Sequence, residues 1–209
     1  MVLIKSLRSI LAFSLVVVLF GTFFPVDPVH ALSRSSRNAG FPPLDTFVSQ
    51  VKNGQAGELR GIYIPEILAA PVIQQPAGNH EFVSPRQNVL TQFNLASQFG
   101  TTGLLAHNYL AGESFSLLQK DQKFYLIHGD GQVSSYVVKD VLRYEALEPD
   151  STLSSFVNLE SSDLFTAAEL FSQVYARPGN VILQTCISRD NNLSWGRLFV
   201  IAEPSSSGP

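Results

Sequence analysis

Lys123-Phe124-Tyr125-Leu126-Ile127-His128-Gly129-Asp130-Gly131-Gln132-Val133-Ser134-Ser135-Tyr136-Val137-Val138 is the stretch that decides the fold. Both halves are rich in aromatic and β-branched residues, which suit a pleated, half-buried surface and lose side-chain freedom in a helix. Between them stands Gly129-Asp130-Gly131, and Asp-Gly between apolar strands is a strong hairpin signal. Val141 to Ala146 continues this meander as far as Pro149.

Downstream, Phe165, Ala168, Leu170, Phe171 and Val174 repeat at helical spacing, with Ser161-Ser162-Asp163 ahead as capping candidates and Pro178-Gly179 behind. The pattern predicts one helix over 165–175. Two apolar strands follow, Asn180 to Cys186 and Trp195 to Ala202, joined by a polar loop from Ile187 to Ser194. Upstream, Leu59 to Ile64 reads as a strand stopped by Pro65, and Pro71-Val72-Ile73 and Glu81-Phe82-Val83 read as further short strands. Short apolar runs at Val89-Leu90 and Leu104 to Ala106 flank a weak helical patch at 93–99, and Leu44, Phe47, Val48 and Val51 predict a short amphipathic helix. Many short strands with few helices predict a mostly all-β chain, a barrel or a sandwich.

The chain of 209 residues is 45% hydrophobic and 15% charged, enough to bury one core, and its fifteen Phe against one Met favour strands. Net charge is −3 and the fourteen Lys and Arg are scattered, which excludes nucleic acid as a partner because several phosphates need clustered cations. Lys5 and Arg8 precede an uncharged apolar run from Ile10 to Phe24, then Val29-His30-Ala31, the layout of a signal peptide over residues 1–31. The same run can serve as a retained anchor, the one expected membrane contact. The reading places the rest of the chain outside the cytoplasm, exported or secreted: a linker with the short helix at 32–57, one domain at 58–203 and a disordered tail at 204–209.

Export gives the cysteine count a meaning. Cys186 is the only cysteine, so it has no internal disulfide partner. One reading is a buried apolar thiol. The other is a nucleophile, because Cys186 ends a strand, where a side chain is both rigidly aimed and open to substrate. A free thiol has a pKa of ~8.5, so a working one needs a cation close by. Arg197 opens the next strand and, if the two strands pair, faces the cysteine across the ladder, where a guanidinium suits an oxyanion. His107 ends the run Leu104-Leu105-Ala106 and can move a proton near neutral pH. His128 and His80 are weaker candidates, one beside a tight turn and one in a turn-rich segment.

Leu183-Gln184-Thr185-Cys186 resembles the Thr-Leu-X-Thr-Cys signature of sortases, and Trp195 to Ala202 resembles the Arg-bearing strand that follows it in that family. Leu104-Leu105-Ala106-His107-Asn108, with Phe115, Leu118 and Lys123-Phe124-Tyr125, is similar to the family's histidine loop and next strand, and Leu59 to Pro65 to its opening strand. The resemblance covers about residues 59–203 in the order His, Cys, Arg. Three positions depart from it: Ile182 for the signature's first Thr, Ala106 for the Gly before the histidine, and Lys120 for the Gly before Asp121. The insert between Pro149 and Asn180 is longer than in the simplest members.

The resemblance implies a closed antiparallel β-barrel with short helices in its connections. It also implies a cysteine transpeptidase in which Cys186, His107 and Arg197 act, with Thr185 and Asn108 beside the substrate. The implied partners are protein substrates bearing a sorting motif and an amine acceptor, a cell-wall peptide or a pilin lysine; no cofactor or metal is implied. Two rivals stand beside it. One is another exported cysteine peptidase or transpeptidase, such as the type acting on peptidoglycan stems, although its Ser-His-Gly-Cys surroundings are missing here. The other is a secreted β-barrel binding module in which the same residues are packing.

Overall fold

The computed structural model describes residues 40–206. The expected signal peptide, the start of the linker and the end of the tail lie outside the described residues. Among the described residues ten strands form one sheet: β1 (Leu59–Ile64), β2 (Leu68–Gln74), β3 (Leu90–Phe93), β4 (Thr102–Leu105), β5 (Lys123–His128), β6 (Val133–Ala146), β7 (Phe156–Asn158), β8 (Leu164–Phe165), β9 (Val181–Arg189) and β10 (Asn192–Pro204). Their order is β10-β9-β4-β3-β2-β1-β5-β6-β7-β8, and β10 also pairs with β6. That second pairing closes eight strands into a barrel and leaves β7 and β8 as an extension from β6. Closure removes the exposed edges that open sheets must protect.

The expected closed barrel is present, but its ladder is not antiparallel throughout. β2 pairs with β3, and β4 with β9, in parallel. A parallel neighbour needs a long crossover, and residues 75–89 provide one between β2 and β3. Gln75, 4% exposed, holds that crossover by donating to the carbonyls of His80 and Phe82, while its own oxygen accepts from the Asn94 N–H. Glu81-Phe82-Val83 therefore forms no strand, contrary to its β-like composition, because a side chain takes the carbonyl that a ladder would need.

Alternation sorts the side chains. Leu59, Ile62, Leu104, Phe115, Phe124, Leu183, Leu198 and Val200 fill the barrel, while Tyr144, Ile182, Phe199 and Ile201 pack outside with Leu170, Val174 and Tyr175 of helix α3. Among the described residues the α-helices are α1 (Leu44–Val51), ahead of β1, and α2 (Asn94–Ser97) and α3 (Ala167–Tyr175) in the connections, with a 3-10 helix at Ala111–Leu117. α1 lays Phe47 and Val51 on Tyr63 and Ile127. α3 starts later than its apolar stripe suggests, since Thr166 caps it and Glu169 returns the bond to the Thr166 N–H, a capping box that outcompetes Ser161-Ser162-Asp163.

The polar segment after Cys186 is not a loop. β9 and β10 run on to pair Arg189 with Asn192, and the turn shrinks to Asp190 and Asn191 at φ 50° and 65°. Asp and Asn tolerate this left-handed geometry, which matches the twist of a two-residue hairpin. At the other end, Pro204 still pairs with Tyr136 and the Ser205 N–H donates to the Ser135 carbonyl, so the tail's first residues belong to the sheet.

Candidate active site

Strands β4, β9 and β10 lie side by side and set the geometry. Leu105 is level with Gln184, and the Ala106 N–H carries the parallel register on by donating to the Gln184 carbonyl at 3.2 Å. His107 follows two residues after β4 ends at Leu105. On the other side Cys186 is the direct partner of Arg197. Leu104, Ala106, Leu183 and Leu198 belong to the barrel interior, so the residues alternating with them face outward. Cys186 and Arg197 thus share one level and one face of neighbouring strands, and His107 stands in the connection that leaves β4 on the other side of β9. Cys186 is unpaired and partly exposed.

The histidine strand end is fixed by local bonds. The Thr185 hydroxyl donates to the Ala106 carbonyl at 2.8 Å, and the Leu110 and Gly112 N–H groups both donate to the His107 carbonyl at 3.0 Å. Gly112 sits so close that a Cβ there would meet the His107 carbonyl at 2.7 Å and the Ala106 carbonyl at 2.8 Å. The His107 ring stacks on Tyr109, centroids 5.1 Å apart and 19° from parallel. Asn108 donates to the Leu193 carbonyl at 2.9 Å, tying this loop to β10.

The cysteine strand is held from outside. The Tyr175 hydroxyl of α3 donates to Gln184 Oε1, two residues before Cys186. Burial pushes the Tyr175 phenol far above its ordinary value of 10.0.

Arg197 donates to the carbonyls of Ser194 and Gly196, both at 2.9 Å, and to that of Pro149 at 3.4 Å, with the Phe156 ring centroid 5.9 Å from its Cζ. Its charge is therefore held against the 147–155 connection by neutral carbonyls, and among the described residues no carboxylate pairs with it. His128 ends β5, a strand that does not adjoin β9, and His80 lies in the β2–β3 crossover, so neither is brought to the thiol.

A cavity of about 350 Å³ opens beside the thiol, bordered by Asn108, Glu113, Arg143, Thr185, Cys186 and Leu198. A second, of about 440 Å³, is bordered by Ile67, Asn88, Tyr109 and Glu113, so the loop after His107 forms a wall of both. Arg143, Glu113, Tyr109 and Gly112 do not stand out in the sequence as site residues. One signal was available, for Arg143 interrupts the apolar run Val141-Leu142 and Tyr144 of a buried meander. Among the described residues no group of three His, Cys, Asp or Glu could hold a metal ion.

No family model matches the chain, and no curated protein matches it. Solved structures do. Sortase C-1 from Actinomyces oris aligns at TM-score 0.49 and 16% identity over 80% of this chain and 83% of that one. Sortase C1 from Streptococcus suis aligns at 0.49 and 15% over 79% of each, and sortase A from Listeria monocytogenes at 0.42 and 14% over 70% of this chain and 86% of that one. These likenesses concern the course of the backbone, and the chemistry of the site follows from its own residues.

Proposed function

We propose that this protein is a sortase-like cysteine transpeptidase, exported on its N-terminal segment, with residues 58–203 as the catalytic barrel. The observation that carries this reading is the direct pairing of Cys186 with Arg197 across β9 and β10, with the His107 connection leaving β4, the strand on the other side of β9. The residue types agree: a lone thiol, a group that exchanges protons near neutrality and a permanent cation are what acyl transfer through sulfur needs.

In the proposed cycle the Cys186 thiolate attacks the carbonyl carbon of a backbone amide in a short motif of a protein substrate. Arg197 takes the tetrahedral oxyanion; a full negative charge competes well with the neutral carbonyls that hold the fork, because charge-assisted hydrogen bonds are roughly twice as strong. The C–N bond breaks, His107 protonates the departing amine, and a thioester remains. An acceptor amine then attacks that carbonyl, His107 takes its proton, and sulfur leaves as thiolate. Thr185 and Asn108, both at the cavity rim, hold the thiol strand and histidine loop in place for substrate.

A secreted binding barrel is the second reading, and the engagement of Arg197 with three carbonyls favours it. The test is incubation of the full chain with a peptide library and a small amine, with products read by mass. The transpeptidase reading expects peptides truncated at one bond and capped by the amine, and none of them with Cys186→Ala. Absence of product with the wild type, or persistence in the variant, would overturn it.

A further inference from the structure

Arg143 lies in β6 as the direct partner of Leu198, and Leu198 is in turn the partner of Thr185, so Arg143, Leu198 and Thr185 form a row one step from that of Arg197 and Cys186. Leu198 packs in the barrel interior, so this row belongs to the inner face at the barrel mouth, where the cavity of about 350 Å³ opens. Leu159 donates to the Arg143 carbonyl at 3.0 Å, which fixes its backbone. Arg143 is half-buried, yet among the described residues its guanidinium has neither a hydrogen bond nor an ion pair. A planar cation held in a cleft without a partner is set up for an anion, and its fork matches a carboxylate. Glu113 and Ser116 border the same cavity, and the Glu113 carboxylate favours a cationic group there.

We infer that the cavity beside Cys186 receives the acceptor, and that the acceptor is an amine that also carries a carboxylate, held by Arg143. This rests on the acyl-transfer reading above and adds the class of the second substrate. Glu113 draws the amine in as an ammonium, which gives one proton to solvent water; the neutral nitrogen then forms the C–N bond at the thioester carbonyl, the C–S bond breaks to leave the thiolate, and the nitrogen's second proton passes to His107. The outward row serves the donor peptide and the inner row the acceptor, on the two sides of one sulfur.

The full chain is acylated with a small acetyl thioester, and the acetyl group is partitioned among water, β-alanine or 6-aminohexanoate, and their carboxamides, with Cys186→Ala as the blank. Wild type should prefer the carboxylates over the carboxamides relative to uncatalysed aminolysis. Arg143→Gln should lose about tenfold of that preference, the scale of one charge-assisted hydrogen bond, and Arg143→Lys should keep part of it. A preference unaltered in Arg143→Gln overturns the inference, as does slower acylation with the preference intact, which would put Arg143 on the donor side. Should Arg143→Gln fail to fold, equal capture of carboxylates and carboxamides by the wild type overturns it alone. A wild type that never acylates ends the transfer reading, and this one with it.

Discussion

Cys186 and Arg197 are direct partners across the β9–β10 ladder, and both face away from the barrel interior. Side chains so paired have Cβ atoms ~5 Å apart, close enough for a long guanidinium to serve the sulfur's reaction centre. The contacts Arg197 now makes, with Ser194, Gly196 and Pro149, are to neutral acceptors that an oxyanion can displace.

Arg197→Ala should therefore lower kcat/KM by about a hundredfold or more, the usual cost of losing one oxyanion donor. Arg197→Lys should recover little, since an ammonium lacks the fork. Steady-state kinetics on a cleaved peptide check this, and wild-type rates in either variant would remove Arg197 from the mechanism.

Thr185 is 5% exposed and donates to the Ala106 carbonyl. Thr185→Val keeps the shape and leaves that carbonyl without its partner, so denaturant unfolding should show a loss of about 1–3 kcal/mol. Turnover should fall with it, because the bond sets the strand end that carries His107.

Gly112→Ala tests the same joint from the loop side. Its Cβ would press on two backbone carbonyls, at 2.7 and 2.8 Å, which cannot swing aside as a side-chain tip does. Overpacking of this kind costs about 1–3 kcal/mol, and the displaced His107 should slow proton transfer. Unchanged melting and unchanged rates would show the loop to be slack.

Tyr175 gives the stability a pH dependence on the alkaline side. Its folded-state pKa is raised above the ordinary 10.0 by burial. Below pH 10 the phenol is neutral in both states and its contribution is whole; above that the unfolded chain ionises first and stability falls, by up to ~1.4 kcal/mol per pH unit for one group. Tyr175→Phe should lose about 1 kcal/mol at pH 7 with the Gln184 bond, yet show a shallower decline above pH 10. Denaturant midpoints across that range check the slope.

Much of this was legible in the chain because strand composition and turn chemistry are local. Leu44 to Val51, Leu59 to Ile64 and the Lys123 to Val138 hairpin fall where their residues predict. The parallel partners of β2 and β4 were not legible, for what joins Leu105 to Gln184 is a register between segments far apart in sequence. Asp190-Asn191 reads in the sequence as part of a polar loop, although both residues accept positive φ, because polarity alone does not separate a long loop from a two-residue turn inside long strands. Thr166 does not stand out as a cap in the sequence, because the apolar stripe begins one residue before it, at Phe165. Arg143 is not legible in the sequence for a different reason: its importance lies in what does not pair with it, and that requires the barrel mouth around it.

Reaction of the folded protein with iodoacetamide at pH 7, followed by mass, probes the sulfur without knowledge of any substrate. Cys186, the only thiol in the chain, should be alkylated faster than free cysteine, and more slowly once Arg197 or His107 is replaced by Ala. A thiol that stays inert under those conditions, or reacts identically in all three proteins, would contradict the account and leave a binding barrel with an unreactive cysteine.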